Sequence, residues 1–375
     1  MSRRAPIDGR SVIAYNVGVT DSALDSADTY SRLDPGGLYG RIAALPSQIG
    51  EAWRVAGAVE LPPEYREVER VVVLGMGGSG IGGGLLRALA LDLGAATPVD
   101  VVRGYTLPAY VDERSLVLAS SNSGNTEEVV STLQQAVRAH AKCVAITTGG
   151  RLLAIARDHQ LPALTFAWDG EPRSALGWSF TSLLAMCGRI GLVPLLEPEL
   201  ADALTQMRSL AEAIGRDVPE ARNPAKQLAR RLAGKLPVFV GAEALAPVAY
   251  RWRTQVNENA KSWAIADELP EMNHNAPLGY GAPAALVPLL HVVLLRHAAM
   301  HARTLIRIEA TLEQMHAAGL SAEVVDVPGP STLAQMLWAI QLGDFVSYYL
   351  GLLNGVDPSE VRALDWIKAR LAASA

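Results

Sequence analysis

Two polar loops in the first half of the chain carry the residue types that bind a phosphate group. The glycine loop, GMGGSG at residues 75–80, contains Ser79. The serine loop, SSNSGNT, offers three hydroxyls within six residues, at Ser121, Ser123 and Thr126. Hydroxyl donors, free backbone N–H groups and the positive end of a helix dipole together suit a phosphate monoester dianion. The simpler alternative is that Ser123 or Thr126 only caps the helix that follows.

The glycine loop also matches G-x-G-x-x-G, a pattern that dinucleotide-binding folds use. That interpretation needs an acid at the end of the next strand to hold a ribose hydroxyl, whereas the strand predicted at residues 99–102 is followed by Arg103. An arginine there would suit the 2′-phosphate of NADP, so an NADP-dependent oxidoreductase stays open as an alternative. It leaves the serine loop unexplained. No lysine follows the glycines, which argues against ATP or GTP hydrolysis.

The second half supplies candidate groups for proton transfer. Glu258 lies between two asparagines late in a predicted helix, where amide hydrogen bonds would orient it as a base. The alternative is a solvated helix face with a Glu258–Lys261 ion pair. His274 lies in a polar loop and can serve as a general acid near neutral pH, although a lone loop histidine is more often simply exposed. Three further histidines lack the spacing of metal ligands, so no metal is predicted at His291, His297 and His301.

Composition limits the classes of function that the chain can have. Of its 375 residues, 50% are hydrophobic and 19% charged, which is enough to bury a sizeable core. The formal net charge of −5 gives no overall attraction to nucleic acid or membrane surfaces. Cys143 and Cys187 have mostly apolar neighbours and are predicted to be buried, reduced thiols. The longest apolar stretch, residues 283–295, is too short to cross a bilayer, and no signal-peptide pattern follows Met1, so we expect a cytoplasmic protein.

Strand and helix patterns alternate along the chain, which predicts parallel sheets covered by helices. In the first unit, strands are predicted at residues 70–74, 99–102, 115–119, 143–147 and 163–166, with a glycine-rich turn at 75–84 and a helix at 85–93. The pattern restarts after residue 220, with strands at 237–240, 286–295 and 322–327. We therefore predict an N-terminal arm at 1–36 with a short strand at 12–15, a first domain at 37–195, a second at 215–355 and a C-terminal helix at 356–375.

Taken together, these segments resemble the sugar isomerase (SIS) superfamily, and specifically the bifunctional phosphoglucose/phosphomannose isomerase family. The matching pieces, in the family's order, are GMGGSGIGG at 75–83, SNSGNTEE at 121–128, PR at 172–173, NENAK at 257–261, ELPEMNHN at 268–275 and ALDWIKARLA at 363–372. The serine loop marks only the superfamily, whereas NENAK followed by ELPEMNHN is much more specific. The resemblance implies an α/β fold of two SIS domains, each a five-stranded parallel sheet flanked by helices.

The resemblance also implies an activity, the interconversion of glucose 6-phosphate, and of mannose 6-phosphate, with fructose 6-phosphate, without a cofactor. Glu258 takes the position of the base that moves a proton between C2 and C1, and Arg173 that of the group stabilising the enediolate. His274, lent by the other subunit of a homodimer, would open the sugar ring with help from Lys368. Five residues fall in the phosphate site, namely Gly78, Ser79, Ser121, Ser123 and Thr126. A non-catalytic protein that senses sugar phosphates is the alternative.

Overall fold

Two parallel sheets follow one another along the chain in a computed structural model that describes residues 23–373. The strand predicted at residues 12–15 lies outside the described residues. The first sheet contains β1 (Arg70–Leu74), β2 (Val99–Val102), β3 (Ser115–Ser121), β4 (Lys142–Thr147) and β5 (Ala163–Thr165), in the order β2-β1-β3-β4-β5. The second contains β6 (Leu236–Ala242), β7 (Ile265–Leu269), β8 (Leu290–Arg296) and β9 (Ser321–Asp326), in the order β7-β6-β8-β9.

Thirteen α-helices lie within the described part of the chain and cover the sheets. In the first half they are α1 (Ala27–Leu33), α2 (Leu38–Ala43), α3 (Leu45–Gly57), α4 (Gly77–Asp92), α5 (Glu127–Arg138), α6 (Gly150–Asp158), α7 (Ser182–Arg189) and α8 (Glu197–Ile214). In the second half they are α9 (Pro224–Leu232), α10 (Ala246–Asn259), α11 (Ala302–Ala317), α12 (Thr332–Leu353) and α13 (Arg362–Ala372). The predicted α/β class with two parallel sheets between helices is confirmed.

The first sheet is apolar on both faces because successive side chains of each strand point alternately into two layers of helices. Val71 and Val73 of β1 belong to one hydrophobic cluster with α4, whereas Val72 and Leu74 belong to another with α5 and α6. This burial on both sides is what parallel strands require. Cys143 lies in that second cluster, and both cysteines are free and buried, as predicted.

The second sheet corrects the expectation of five strands, because it has four within residues 23–373. After β9 the chain turns directly into the 22-residue helix α12, and its remaining described elements are helical. The strand β7 was not predicted, since its sequence IADEL contains two adjacent acids and its side chains are mostly exposed at the sheet edge. The segment predicted as a loop from Glu268 therefore begins inside a strand.

The glycine-rich turn predicted at residues 75–84 is wrong beyond Gly77, where α4 begins. Glycine is a poor helix former, but here it permits close packing. A β-carbon on Gly78 would lie 2.9 Å from the carbonyl oxygen of Pro172, and one on Gly83 would lie 2.8 Å from a methyl carbon of Val73. The glycines thus let α4 approach the sheet and the segment around Pro172.

Helix α12 is the central helix of the second half and packs against α8, α9 and α10. Among the described residues it is the one helix long and apolar enough, by composition, to cross a membrane. However, 94% of its most apolar 18-residue window is buried inside the protein. We therefore interpret it as a core helix.

Candidate active site

The order of the first sheet brings the glycine loop and the serine loop together. β1 pairs with β2 on one side and β3 on the other, so the topological switch point lies between β1 and β3. Leu74, the last residue of β1, pairs with Ala119 of β3, and both strands run toward the same edge. Open parallel sheets bind ligands outside their carboxyl ends at this point. Ser79 follows β1 and Ser121 is the last residue of β3, so both lie at the expected edge.

The hydroxyls of the serine loop are organised around Gly124. The Ser121 and Thr126 hydroxyl oxygens lie 2.8 Å apart, and the backbone N–H of Gly124 donates to Ser121 Oγ over 3.1 Å. Gly124 has a φ of +67°, and a β-carbon there would lie 1.8 Å from the Gly149 carbonyl oxygen. Only glycine fits this position. The loop therefore has a fixed backbone path with its hydroxyls on the ligand side of the sheet.

The capping alternative does not account for these hydroxyls. Thr126 is the N-cap residue of α5, yet its side chain makes no capping hydrogen bond. Ser123 accepts a hydrogen bond over 3.2 Å from the backbone N–H of Asn125, which precedes the helix, and it is otherwise exposed. The first N–H groups of α5 are thus left without side-chain caps, which favours an anion at this helix end.

Arg103, the residue on which the NADP alternative depends, is exposed but contacts helix α4. Its Nη2 donates to the carbonyl oxygen of Gly80 over 3.0 Å, so the guanidinium lies along α4. Gly84 also packs against it, since a β-carbon at that glycine would lie 3.4 Å from the Arg103 guanidinium. Gly75 and Gly80 pack closely on each other's backbone and Gly77 has a φ of +50°, which is a sufficient reason for the G-x-G-x-x-G pattern.

Arg173 lies next to the glycine loop and points into the second half of the molecule. It follows Pro172, against whose carbonyl oxygen Gly78 packs. The residue is only 3% exposed and uses all three guanidinium nitrogens. Nε donates to Asn259 Oδ1 (2.6 Å), Nη1 to Glu258 Oε2 (3.3 Å) and Nη2 to the Pro358 carbonyl oxygen (2.6 Å). Burial lowers the pKa of Arg173 from its ordinary value, and Glu258 opposes this effect.

Glu258 combines a buried cationic partner with access to solvent. It lies on the last turn of α10, and its side chain is 30% exposed, whereas that of its partner Arg173 is 2% exposed. The alternative of a Glu258–Lys261 ion pair on a solvated helix face is wrong. Lys261 Nζ donates to the main-chain carbonyl of Glu258 and not to its carboxylate. One carboxylate oxygen is thus paired with a fixed guanidinium at an accessible edge, which is a geometry that suits a base acting beside an anion-stabilising group.

Lys261 adds a second cation to this centre. Its ammonium donates to the Pro358 carbonyl oxygen over 3.0 Å, the same acceptor that Arg173 uses. Burial, followed by the charge of Arg173, lowers the pKa of Lys261 to about 8. The segment before α13 is therefore bound to both cations of the site.

His274 and Lys368 are not brought to this centre within one chain. His274 is exposed in a short 3-10 turn after β7, and Lys368 on α13 has a 73% exposed side chain that pairs with Asp365 over 3.5 Å. Neither residue forms a hydrogen bond or an ion pair with Glu258 or Arg173 in the described residues. The structure thus brings together Arg173, Glu258 and the glycine loop, and leaves His274 and Lys368 at the surface.

Sequence reasoning missed several groups that hold the site together. Asn259 is the direct partner of Arg173, and its position inside NENAK was the available signal. The role of the Pro358 carbonyl could not be predicted from the sequence, because every residue has a main-chain carbonyl oxygen. Among residues 23–373 no group of three or more His, Cys, Asp or Glu side chains is placed to hold a metal ion.

Comparisons with known proteins place this geometry in a class. Residues 64–164 match the SIS domain, and residues 221–371 match the bacterial phospho-glucose isomerase C-terminal SIS domain. A hypothetical protein from Thermus thermophilus has the same fold, with a TM-score of 0.73 at 18% identity over 94% of each chain. The fold and the site therefore define an enzyme of the SIS class, a sugar-phosphate isomerase.

Two relatives make the assignment more specific. A bifunctional phosphoglucose/phosphomannose isomerase of Caldicellulosiruptor bescii is 38% identical over 89% of this chain and 99% of its own length. Another, from Aquifex aeolicus, is 31% identical over 80% of this chain and 90% of its own. The chain belongs to the bifunctional phosphoglucose/phosphomannose isomerase family, as its motifs predicted.

Proposed function

We propose that this protein interconverts glucose 6-phosphate and mannose 6-phosphate with fructose 6-phosphate through a cis-enediol intermediate. The observation that carries the proposal is the 3.3 Å contact between Arg173 Nη1 and Glu258 Oε2 beside the glycine loop, whose Gly78 packs against the Arg173 segment. The names of the relatives support the two aldose substrates. We also propose that the protein works in the cytoplasm. Its two domains are proposed to span residues 37–195 and 215–355.

The proposed chemistry begins with an open-chain sugar. A C–H bond next to a carbonyl is weakly acidic, so a carboxylate alone is too weak a base unless the developing oxyanion is stabilised. Glu258 takes the proton from C2 of the aldose, the C1 carbonyl oxygen becomes an enediolate oxygen, and Arg173 faces that negative charge. The hydroxyl proton of O2 then moves to O1, and return of the Glu258 proton to C1 gives the ketose with its carbonyl at C2. One preorganised contact of this kind is worth about 3–4 kcal/mol.

The phosphate group would bind away from the reacting carbons. Gly78 and Ser79 at the start of α4, with Ser121, Ser123 and Thr126, would hold it between two helix N-termini. Binding energy from this non-reacting group can then hold C1 and C2 against Glu258. Neither a cofactor nor a metal takes part in this proposal.

Ser123→Ala tests the phosphate site. Loss of a hydroxyl that binds an anion costs about 1.5–3 kcal/mol. We therefore expect KM for fructose 6-phosphate to rise about 10- to 100-fold with kcat nearly unchanged, because the contact is equally strong in the ground and transition states. Steady-state kinetics measures both constants. Ser131→Ala, on the helix α5 that follows the serine loop and bonded to the Tyr105 carbonyl, is the matched control, and an unchanged KM for Ser123→Ala would contradict the phosphate site.

A homodimer would complete this site by bringing His274 from the neighbouring subunit. Two large apolar side chains on either side of β7 in the sequence are exposed, Trp263 before it at 81% and Leu278 after it, close in sequence to His274, at 95%. Helix α13 has no buried residue, although Leu364 and Ile367 give it an apolar side. Exposed apolar side chains of this size are consistent with association with another chain.

Subunit mixing tests whether His274 acts across that interface. Glu258→Gln and His274→Ala should each be inactive alone. If the residues belong to one site made by two subunits, half of the randomly mixed dimers contain one intact site, and about a quarter of wild-type activity returns. Activity after co-refolding of the two variants is the measurement. No recovery in mixed dimers of verified composition would place His274 in its own subunit's site or outside catalysis.

The substrate assignment is tested with the purified wild-type protein. Fructose 6-phosphate should yield both glucose 6-phosphate and mannose 6-phosphate, each followed by a coupled enzyme assay, in the presence of EDTA. Tight binding of sugar phosphates without turnover would support the non-catalytic sensing protein instead. Conversion to only one aldose would restrict the proposed function to that epimer.

A further inference from the structure

A buried polar network links helix α12 to Arg173. Its members are at most 3% exposed and come from two facing helices, with Arg251, Gln255 and Asn259 on α10 and Asp344 and Ser347 on α12. Asp344 is the one charged residue in the whole of α12, whose other residues are mostly apolar. Burial raises the pKa of Asp344 above its ordinary value, while Arg251 opposes this effect. A charge in this place is costly unless it is paired.

The first branch of the network ends at the backbone of Arg173. The Asp344 carboxylate accepts from Arg251 Nε (3.1 Å) and Nη2 (2.7 Å), and from the Gln255 amide (3.0 Å). Arg251 Nη2 also donates to the main-chain carbonyl of Arg173 over 3.2 Å. Asp344 thus fixes a guanidinium that in turn holds the 3-10 turn carrying Arg173.

The second branch ends at the side chain of Arg173. Ser347 Oγ donates to the Asp344 carbonyl over 2.8 Å and accepts from Asn259 Nδ2 over 2.9 Å. Since the amide nitrogen of Asn259 is engaged there, its oxygen faces the other way and accepts from Arg173 Nε over 2.6 Å. The serine hydroxyl therefore decides which end of the Asn259 amide meets the guanidinium.

We propose that Asp344 and Ser347 are positioning residues for the enediolate step, because together they fix Arg173 at its carbonyl and at its Nε. The inference rests on the proposed role of Arg173 opposite Glu258. A purely structural network would contribute to stability alone, and apolar residues of similar volume can replace buried ion pairs at no loss of stability. A positioning network instead affects the transition state more than the substrate complex, because its purpose is the orientation of one donor.

Ser347→Ala is the first test, because it removes the group that orients Asn259 and leaves the ion pair in place. We expect kcat to fall about 10- to 100-fold while KM for fructose 6-phosphate changes less than about twofold, as for an interaction made in the transition state. A sugar-phosphate hydroxamate that mimics the enediolate should lose affinity by the same factor as kcat. Asp344→Asn should show the same pattern.

Gln341→Leu is the matched control. Gln341 is buried on the same helix, and its amide has no hydrogen-bond partner among the described residues. This variant should keep wild-type kcat and hydroxamate affinity. If Asp344→Asn does not fold, Ser347→Ala decides the question.

Two outcomes separate this inference from the function it rests on. If folded Ser347→Ala keeps wild-type kcat, or loses affinity for substrate and hydroxamate equally, the positioning role is overturned although the wild type remains an isomerase. If the wild type does not isomerise fructose 6-phosphate at all, the proposed function fails instead, and the hydroxamate comparison then shows no preference over substrate.

Discussion

Glu258→Gln is expected to lower kcat by about 10³- to 10⁴-fold, the upper part of the range that a positioned general base contributes. The amide has nearly the same shape as the carboxylate, and its oxygen can still accept from Arg173 Nη1, so the surroundings should remain intact. It cannot take the C2 proton. Affinity for fructose 6-phosphate, measured by calorimetry, should change little, and exchange of the C2 proton with solvent deuterium should disappear together with turnover.

The control for this variant is Glu313→Gln, which removes an exposed carboxylate from α11 without touching the site. It should retain wild-type kinetics. A Glu258→Gln enzyme with more than about a tenth of wild-type kcat would mean that another group moves the proton.

Arg173→Lys should have the second largest effect, a fall in kcat of about 10²- to 10³-fold, which corresponds to one lost oxyanion contact. The substitution keeps the positive charge, so Glu258 retains a cationic partner. A single ammonium cannot, however, reproduce a planar fork that donates to Asn259, Glu258 and Pro358 from three fixed nitrogens. Steady-state kinetics should show the loss mainly in kcat.

Arg189→Lys provides the comparison for that prediction. Arg189 also donates to main-chain carbonyls, those of Ala56 and Val59, but it lies outside the proposed site. We expect a modest decrease in thermal stability and unchanged kcat for this variant. If Arg173→Lys also retained full kcat, stabilisation of the enediolate would have to come from another group.

The loop residues directly after strands were predictable because the strands themselves can be recognised from short local sequence patterns. Runs such as RVVVL predict buried strands, and glycine and hydroxyl residues directly after them predict a ligand-binding edge. The parallel order of the first sheet then brings Ser79 and Ser121 to one place. Two of the histidines have local structural partners. His291 pairs with Glu323 at a strand, and His301 caps α11.

The remaining parts depend on contacts between residues far apart in the chain. Arg173 lies in a short 3-10 turn with no periodic pattern, and only the family resemblance identified it. Its partner Glu258 is 85 residues further along. The start of α4 was misplaced because propensity disfavours glycine, whereas packing against Pro172 and Val73 requires it.

The shared acceptor of Arg173 and Lys261 has a consequence for how this family can change over time. Both cations bind the carbonyl oxygen of residue 358, a group that every amino acid possesses. Genetic drift in the identity of that residue therefore leaves the acceptor in place. An inserted or deleted codon just before it, by contrast, would move the oxygen by up to about 3.5 Å. The length of this segment should accordingly be far more constrained than the identity of the residue at position 358.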